Sequence, residues 1–441
     1  MTDGATGDTS GPEATTADGE PLLEVDGLET HYPVKSGLLR REVGRIRAVD
    51  GIDFELHAGE ALGLVGESGS GKSTTALSIL RLEEPTGGEV RFDGTPVSEL
   101  DGDALQSFRR RVQLVVQDPN EAFSPRMTIG EAVAEPLRLH GMSDGDRRRA
   151  IVEDILERVG LSATDADRYP HEFSGGEKQR ISIARALVLN PDLIVADEPT
   201  SALDARVQAD VLALLDRIRR EFDIAVLFIS HDIDVVRRFC ERVAVMYLGE
   251  IVEQGPIDDV LDAPAHPYTR VLLGSVPSLD PTDQTFARPL TDTIPDPSDP
   301  PSGCRFHTRC PEVIQSSDLD LPPEQWERLA AFRFTLQTGE LPESIDPELN
   351  DAIDATTVLE AFDLPDPSTA IDDSVVAEAV DDAVQTTVRG DIDKAAAVLA
   401  DALPTVCESE VPDAIALEDR PVSCHRYDDT MPGTPRPWTE Q

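Results

Sequence analysis

Gly66-Glu67-Ser68-Gly69-Ser70-Gly71-Lys72-Ser73 stands between an apolar run at residues 60–65 and a helix-compatible segment at residues 73–82. The pattern G-x-x-x-x-G-K-[ST] in that context is typical of a phosphate-binding loop. Its glycines let the backbone wrap phosphate groups, so that backbone N–H groups and the start of the helix face the negative charge. The lysine brings a positive charge to the terminal phosphates, and the final hydroxyl suits Mg²⁺. The stretch therefore predicts a nucleotide site.

A second apolar run ends in two carboxylates, in the order Leu193-Ile194-Val195-Ala196-Asp197-Glu198. At the end of a buried strand, Asp197 would reach the Mg²⁺ shell. Glu198, one residue further along, would polarise an attacking water. Alone, this pattern is more often an ordinary strand end, but together with the phosphate-binding loop it predicts a site of hydrolysis.

Apolar runs alternate with helical segments through the first half of the chain. Other strands are predicted at residues 22–25, 47–53 and 224–229, and other helices at residues 177–189 and 206–222. This alternation predicts an α/β fold in which helices cover a mostly parallel sheet. The pattern is largely helical from residue 117 to residue 173, which predicts an inserted helical subdomain.

A third motif, Phe173-Ser174-Gly175-Gly176-Glu177-Lys178-Gln179-Arg180, resembles the signature sequence of ATP-binding cassette (ABC) ATPases. The rest of that family's motif set is present in order: Tyr32, Gln117 in Val116-Gln117-Asp118-Pro119, Ser201-Ala202-Leu203-Asp204 after the acidic strand, and His231. The resemblance covers roughly residues 21–260, with the helical subdomain at about 118–180. Glu177 departs from the most familiar signature, which has Gln, but related cassettes vary at this position.

The resemblance implies a P-loop NTPase fold of the RecA-like type, with ATP and Mg²⁺ as ligands. It implies that Glu198 is the general base and that His231 contacts the γ-phosphate. Gln117 would complete the metal and water site and couple to the membrane subunit, while Ser73 and Asp197 would hold Mg²⁺. Other implied nucleotide contacts are Tyr32, which would stack on adenine, and Gly66, Glu67, Ser68, Gly69, Ser70, Gly71, Lys72, Thr74 and Asp204. Ser174, Gly175 and Gly176 would grip the γ-phosphate of ATP on the opposite cassette, so hydrolysis would require a dimer.

A finer resemblance is to the cassettes of oligopeptide and dipeptide importers, of the F-type rather than the D-type. It rests on His31-Tyr32-Pro33-Val34, Gly37-Leu38-Leu39-Arg40-Arg41, Phe123-Ser124-Pro125-Arg126-Met127 and Ala265-His266-Pro267-Tyr268-Thr269-Arg270. Nickel importers share much of this pattern, so the substrate class stays open. The resemblance implies a second, D-type ATPase subunit, two integral membrane permeases and an extracellular substrate-binding protein. The chain would be peripheral, at the cytoplasmic face of the cell membrane.

The cysteines extend this resemblance. Gly303-Cys304-Arg305-Phe306-His307-Thr308-Arg309-Cys310-Pro311 resembles the C-terminal cysteine region of the peptide-importer cassettes, which usually continues to two more cysteines. Here the matching pair is Cys407 and Cys424, with sixteen residues between them. Four thiolates can hold a [4Fe–4S] cluster or a structural zinc ion. The family resemblance points to iron–sulfur, and four unliganded thiols remain the alternative.

Residues 311–406 are therefore predicted to be an insertion into the C-terminal region formed by residues 261–310 and 407–441. The insertion has 22 acidic and four basic residues, yet helical periodicity persists at residues 324–337, 349–362, 374–388 and 392–403. It is predicted to be a small acidic helical module, with a solvated disordered segment as the alternative. Residues 279–303 are linker-like.

Composition limits the classes of function. The 441 residues include 85 Asp+Glu and 39 Lys+Arg, which gives a formal net charge of −46. A nucleic-acid binder would carry a basic stripe, so no nucleic-acid partner is expected. Only four of the basic residues are Lys, and this imbalance with the acidic excess suggests a salt-loving organism, where salt screens repulsion between carboxylates. Residues 1–20 are predicted to be a disordered acidic tail without a signal peptide, and no apolar run is long enough to span a membrane.

Two other classes of function are alternatives. One is a soluble cassette protein that acts on DNA or ribosomes, although such proteins tend to carry two fused cassettes or long coiled-coil insertions. The other is a non-catalytic partner, which the intact Lys72, Asp197, Glu198 and His231 argue against. The leading hypothesis is an ATP-hydrolysing importer motor.

Overall fold

The computed structural model describes residues 19–36, 41–120, 122–275, 288–346, 349, 353–365, 367, 371–418 and 420–434. The predicted tail at residues 1–20 and the Gly37–Arg40 part of the F-type pattern lie almost wholly outside these residues. The strands are β1 (Leu23–Ser36), β2 (Arg41–Leu56), β3 (Ala61–Val65), β4 (Gly87–Phe92), β5 (Thr95–Pro96), β6 (Val112–Val115), β7 (Leu193–Asp197), β8 (Ala225–Ser230), β9 (Arg242–Tyr247), β10 (Glu250–Pro256), β11 (Ala414–Leu417) and β12 (Arg420–Ser423).

The helices alternate with these strands and then dominate the later part of the chain. They are α1 (Lys72–Ile79), α2 (Gly102–Arg111), α3 (Ile129–Leu139), α4 (Gly145–Arg158), α5 (Gly175–Leu187), α6 (Ala205–Phe222), α7 (Ile233–Phe239), α8 (Ile257–Asp262), α9 (Pro267–Gly274), α10 (Pro323–Thr338), α11 (Ala355–Ala361), α12 (Ser374–Val388), α13 (Ile392–Ala402) and α14 (Val406–Ser409). Short 3₁₀ turns lie at Val97–Glu99, Ala163–Asp167, Pro170–Glu172 and His425–Tyr427. No helix in the described part of the chain combines the length and apolar character needed to span a bilayer.

The main sheet carries the nucleotide loop. Within the described residues it has eight strands in the order β11-β12-β10-β9-β3-β8-β7-β6. Strands β9, β3, β8, β7 and β6 run parallel, and every residue of β3 and β8 is buried. Strands covered on both faces have continuous apolar sequences, which is why the pattern predicted β3, β7 and β8 correctly. The other edge, from β10 to β11, is antiparallel.

The smaller sheet, in the order β2-β1-β4-β5, differs from prediction in the length of its strands. Short strands were predicted at residues 22–25 and 47–53, but β1 has 14 residues and β2 has 16. The buried positions of β1 lie at its start, and the side chains after Thr30 are half-buried or exposed. The hairpin continues through backbone pairing from Leu23–Leu56 to Ser36–Arg41, which a search for apolar alternation does not detect.

The predicted helical subdomain contains α3 and α4 and ends at the start of α5. Side chains cap each of these helices: Thr128 and Ser174 form capping boxes, and Asp144 accepts the backbone N–H of Arg147. Such caps satisfy the free N–H groups of a first turn. The signature sequence is therefore held at the beginning of α5.

The acidic segment is folded where the structure describes it. Helices α10, α12 and α13 match the predicted ones closely, whereas α11 begins at Ala355 rather than at residue 349. Part of the predicted helix, residues 350–352, lies outside the described residues. Trp326, Phe332 and Phe334 of α10 belong to the same hydrophobic cluster as Phe306 of the C-terminal region. The disordered alternative is wrong for these helices, because their apolar faces are buried.

The two ends of this segment lie side by side. Gln315 and Thr405 form an antiparallel bridge, and the Ser316 N–H donates to the Pro404 carbonyl at 3.1 Å. The Thr405 hydroxyl donates to the Ile314 carbonyl at 2.5 Å. The acidic segment therefore begins and ends at the same place in the C-terminal region.

Candidate nucleotide site

The phosphate-binding loop crosses from β3 to α1, and a side chain does not fit at its first and last glycines, Gly66 and Gly71. Gly71 has φ of 109°, and a Cβ there would lie 2.0 Å from the Ala48 carbonyl oxygen. A Cβ on Gly66 would lie 2.1 Å from the Met246 carbonyl oxygen. Both positions require glycine, and they fix the backbone close to the neighbouring strands. Ser68 and Gly69, between them, are exposed at the crest of the loop.

Lys72 lies under this crest and is 5% exposed. Its Nζ donates to the carbonyl oxygens of Gly66 and Glu67, at 2.8 Å each, and to the Ser70 hydroxyl at 3.3 Å. Burial lowers the pKa of Lys72, against the opposing effect of Glu198 and Asp197. A buried ammonium group of this kind would be stabilised by phosphate charge.

Asp197 ends β7 facing the first turn of α1. Its carboxylate is hydrogen-bonded to Ser73, and burial raises its pKa despite this bond and the nearby Lys72. Among the described residues its Oδ1 is buried without a hydrogen-bond partner. Such an orphaned carboxylate oxygen next to a serine hydroxyl is the kind of donor set that Mg²⁺ takes. These residues therefore fit the expected metal ion.

Glu198 is held from two sides. Gln117 Nε2 donates to its Oε2 at 2.8 Å, and His231 Nδ1 lies 2.9 Å from its Oε1. Its φ is +45°, and its N–H donates to the Ile229 carbonyl at 2.9 Å. Backbone strain of this kind is concentrated at functional sites. The structure thus brings together three residues that the sequence analysis assigned to hydrolysis.

The signature residues make other contacts. Ser174 bonds to Glu177 within the start of α5. Gly175 lies near Leu203, and a Cβ on Gly176 would lie 2.2 Å from a methyl group of Val207. Ser174 and Gly175 are exposed. Their described partners lie in α5 and around the start of α6, not in the phosphate-binding loop.

The other residues predicted to contact the nucleotide lie on α6, β1 and α1. Asp204 is exposed and caps α6, where it accepts the N–H groups of Arg206 and Val207 at 3.2 and 3.1 Å. Tyr32 is half-buried on β1 opposite Ile46. Thr74 is half-buried in α1.

Two residues that contact the phosphate-binding loop, Arg309 and Tyr268, are not among the site residues predicted from the sequence. Arg309 donates to both carboxylate oxygens of Glu67, at 2.7 and 3.0 Å. The Glu67 N–H donates to the Tyr268 hydroxyl at 2.9 Å. Both residues lie in the C-terminal motifs quoted above, and the only sequence signal for Arg309 was an arginine between two cysteines of an acidic protein.

The four C-terminal cysteines converge. Cys304, Cys310, Cys407 and Cys424 line one cavity of about 10 Å³, and the Cys304 N–H donates to the Cys407 carbonyl at 2.8 Å. Burial raises the pKa of each thiol, that of Cys424 to about 12. Across the described residues, no group of three or more His, Cys, Asp and Glu side chains has an arrangement that could hold a metal ion.

Comparison with known proteins gives the family. The sequence model of the family described as ABC transporter matches residues 49–201. The sequence model of the C-terminal region of oligopeptide/dipeptide transporters matches residues 252–316. The oligopeptide transport ATP-binding protein AppF of Bacillus subtilis is 47% identical over 300 residues, which are 67% of this chain and 91% of AppF. This chain belongs to the ATP-binding subunits of ABC transporters, in the oligopeptide, dipeptide and glutathione importer group. It is an ATPase, which argues against a non-catalytic partner, and a soluble cassette that acts on DNA or ribosomes is not favoured.

Other matches differ in extent. The glutathione import ATP-binding protein GsiA of Escherichia coli is 51% identical over 284 residues, but the match covers 64% of this chain and 46% of GsiA. The chain thus spans about half the length of that relative. A solved dimer of the ATP-binding cassette MJ0796 with ADP and Pi aligns with 53% of this chain and 98% of its own at 34% identity and a TM-score of 0.48. A domain of unknown function, DUF8228, matches residues 323–420.

Proposed function

We propose that this chain powers the import of short peptides as the F-type ATPase subunit of its transporter. The observation that carries the proposal is the match of residues 252–316 to the C-terminal region of oligopeptide and dipeptide transporters. Its partners would be a D-type ATPase subunit, two integral membrane permeases and an extracellular substrate-binding protein. The chain would sit at the cytoplasmic face of the membrane through its contact with the permeases.

In this proposal Glu198 is the general base of ATP hydrolysis. Its carboxylate is fixed by Gln117 and His231, so its oxygens are oriented before a water reaches them. Lys72 and the loop backbone would bind the phosphates, and Ser73 and Asp197, with Gln117, would hold Mg²⁺. The metal would neutralise phosphate charge as it develops during hydrolysis.

The exposed signature residues support a role in a dimer. Ser174 and Gly175 lie at the start of a helix, where free N–H groups attract phosphate. We propose that they, with Gly176, contact ATP bound to the second ATPase subunit. Hydrolysis then depends on assembly of the two subunits.

The experiment is reconstitution of the full transporter in liposomes, with labelled dipeptide, a longer peptide, glutathione and Ni²⁺ as separate substrates. We expect ATP-dependent uptake of a peptide substrate, and loss of uptake with Lys72→Ala. Uptake of Ni²⁺ alone would overturn the peptide proposal. Equal ATP turnover in the wild type and Lys72→Ala would overturn the assignment of the site.

We propose a metal role for the four cysteines as a separate point. Their convergence from both sides of a long excursion supports it. A cavity of about 10 Å³ is at the lower limit for even one water, and metal binding requires thiolates. Burial raises the pKa of all four thiols and favours their protonated form, so binding of a cluster or a zinc ion would release protons. Metal analysis of anaerobically purified protein tests this proposal. About four irons per chain would indicate a [4Fe–4S] cluster, and one zinc per chain would indicate a structural ion. The absence of both metals would overturn the proposal.

We also propose the domain limits given by the sequence: a cassette at residues 21–260, a C-terminal region at residues 261–310 and 407–441, and an insertion at residues 311–406. The paired ends at Gln315 and Thr405 support an insertion. The DUF8228 match extends beyond it, to residue 420.

Finally, we propose that the acidic composition is an adaptation to high salt.

A further inference from the structure

The loop between Cys304 and Cys310 carries two arginines that point into the cassette. The loop is a tight turn, in which the Arg309 N–H donates to the Phe306 carbonyl and the His307 N–H to the Cys304 carbonyl, both at 3.0 Å. The side chains of Arg305 and Arg309 are 6% and 4% exposed. Two buried cations this close in sequence need specific partners.

Arg309 finds its partner in the phosphate-binding loop. It forms a bidentate pair with Glu67, the second residue of the loop, from 242 positions away in the sequence. Its guanidinium also lies over the rings of Tyr247 and Phe306, with 5.7 and 5.8 Å between the charge and the ring centroids. The planar fork of arginine matches a carboxylate in a way that lysine cannot.

Glu67 in turn supports the phosphate-binding lysine. Its carbonyl accepts Lys72 Nζ at 2.8 Å and the Ser70 N–H at 3.2 Å. Its own N–H is held by the Tyr268 hydroxyl. The C-terminal region therefore fixes the side chain and N–H of Glu67, while the carbonyl of the same residue orients Lys72.

Arg305 reaches the site by a second route. It bonds to the Leu248 carbonyl and to Asp50, and it pairs with Glu250 at 2.9 Å. The Gly249 N–H, inside this turn, donates to the Ser70 carbonyl of the phosphate-binding loop at 2.9 Å. The turn at residues 248–250 is thus clamped between Arg305 and the loop.

We infer that the Cys304–Cys310 loop is a positioning element of the ATP site, in which Arg309 acts through Glu67 and Arg305 through the turn at residues 248–250. The inference rests on the nucleotide site proposed above. It assigns the C-terminal region a part in positioning the groups that bind ATP, beyond its use as a mark of the family. A change in the conformation of this cysteine loop would be transmitted to Lys72 over two contacts.

The test compares Arg309→Met and Arg309→Lys with Arg426→Met as the matched control. Arg426 is also an arginine of the C-terminal region, half-buried, but its partners are the Glu312 and Thr434 carbonyls and, at 3.5 Å, the Glu312 carboxylate, not the phosphate-binding loop. ATP affinity is measured on the purified full-length chain with a fluorescent ATP analogue, and KM and kcat on the assembled transporter. We expect Arg309→Met to raise Kd and KM at least tenfold with a smaller change in kcat, Arg309→Lys to restore part of the affinity, and Arg426→Met to leave Kd within twofold.

Tyr268→Phe provides a milder variant if Arg309→Met does not fold. It removes only the hydroxyl that accepts the Glu67 N–H, and we expect a several-fold rise in Kd. Arg309→Met or Tyr268→Phe binding ATP as tightly as the control would overturn the inference, provided that Lys72→Ala abolishes binding. Retained binding in Lys72→Ala would instead show that the proposed site itself is wrong.

Discussion

At the scale of single residues, Glu198 is the side chain whose surroundings bear most directly on hydrolysis. Its two oxygens are held by Gln117 and His231. We expect Glu198→Gln to keep ATP binding, because the amide preserves the shape of the side chain, but to slow hydrolysis by about 10²–10⁴-fold, because it no longer accepts a proton. ATP turnover by the reconstituted transporter measures the rate, and gel filtration with ATP should show a trapped closed dimer.

The control for this prediction is Glu153→Gln. Glu153 lies on the surface of α4 and pairs with Arg149 at 2.7 Å, outside the site. We expect it to leave turnover unchanged within about twofold. Turnover close to wild type in Glu198→Gln would remove the role assigned to that residue.

Glu250 gives a prediction about pH. Burial raises its pKa from 4.5 to about 7, although Arg305 and Arg47 act in the opposite direction and Asp50 in the same one. The folded protein therefore holds a proton that the unfolded chain loses, so this group makes stability fall as pH rises from about 4.5 to 7. Asp50 titrates outside that window, because Arg305 and His31 keep its pKa below 3.8 against the effect of burial.

We expect Glu250→Gln to remove this part of the pH dependence. Relative to the variant, the wild type should lose about 1–3 kcal/mol of unfolding free energy between pH 4.5 and 7, at 1.36 kcal/mol per pKa unit. Thermal unfolding of both proteins across this range measures the difference. Parallel curves for the two proteins would show that Glu250 ionises normally.

Local motifs in the sequence predict the candidate site, whereas contacts that depend on distant packing are not visible in the sequence. The loop and the acidic strand end are contiguous stretches whose chemistry is visible in their residue types. The pairing of Glu67 with Arg309 spans 242 positions and depends on how the C-terminal region folds back over β9 and β10. No spacing rule connects such residues.

At the scale of elements, helix α10 packs against the cysteine region and is hydrogen-bonded to it. Arg333 in this helix is 1% exposed; it bonds to the Leu403 carbonyl at 2.7 Å and to Glu408, next to Cys407. We expect Arg333→Met to destabilise the protein by about 2–3 kcal/mol, because both acceptors lose a charged donor. Cys407 should also react faster with a thiol reagent under native conditions.

Arg328 on the same helix is the control. Its side chain is 43% exposed and pairs with Asp363 at 3.1 Å, so Arg328→Met should cost less than about 1 kcal/mol. Equal destabilisation by the two variants, with equal thiol labelling, would mean that the helix does not brace the cysteines.

The elements also divide into those that sequence patterns predict and those that they do not. The parallel strands β3, β7 and β8 and amphipathic helices such as α12 lie within a few residues of their predicted positions, whereas the parallel strands β6 and β9 were not predicted. Strand β12 was not predicted. It has four residues, and it is a strand because it pairs with β11 along its length and with Glu253 of β10 through Val422.

At the scale of the whole molecule, the net charge of −46 is the dominant feature. Carboxylates repel one another more strongly when salt is removed, because the screening length grows from about 3 Å at 1 M to about 30 Å at 0.01 M. We expect the melting temperature to fall when KCl is lowered from molar to millimolar concentration. Sucrose stabilises folded proteins because it is excluded from their surface, but it does not screen charge. A parallel series of melting temperatures in sucrose therefore separates charge screening from this exclusion effect. An unchanged melting temperature in KCl would contradict adaptation to high salt.

The pairing of β12 with β10 has a consequence for the order of events on the ribosome. Ser423 of β12 bonds to the Ile251 carbonyl of β10, 172 residues earlier in the chain. At about 5–20 residues per second, translation of that interval takes about 10–30 s. During this time the nascent cassette presents β10 as an open edge, which is a template for misassembly with neighbouring chains. The same interval leaves the buried Glu253 carboxylate without Arg420, the cation 3.6 Å away in the finished protein, so until then, among the described residues, only the hydrogen bonds from Ala265, His266 and Thr269 stabilise it.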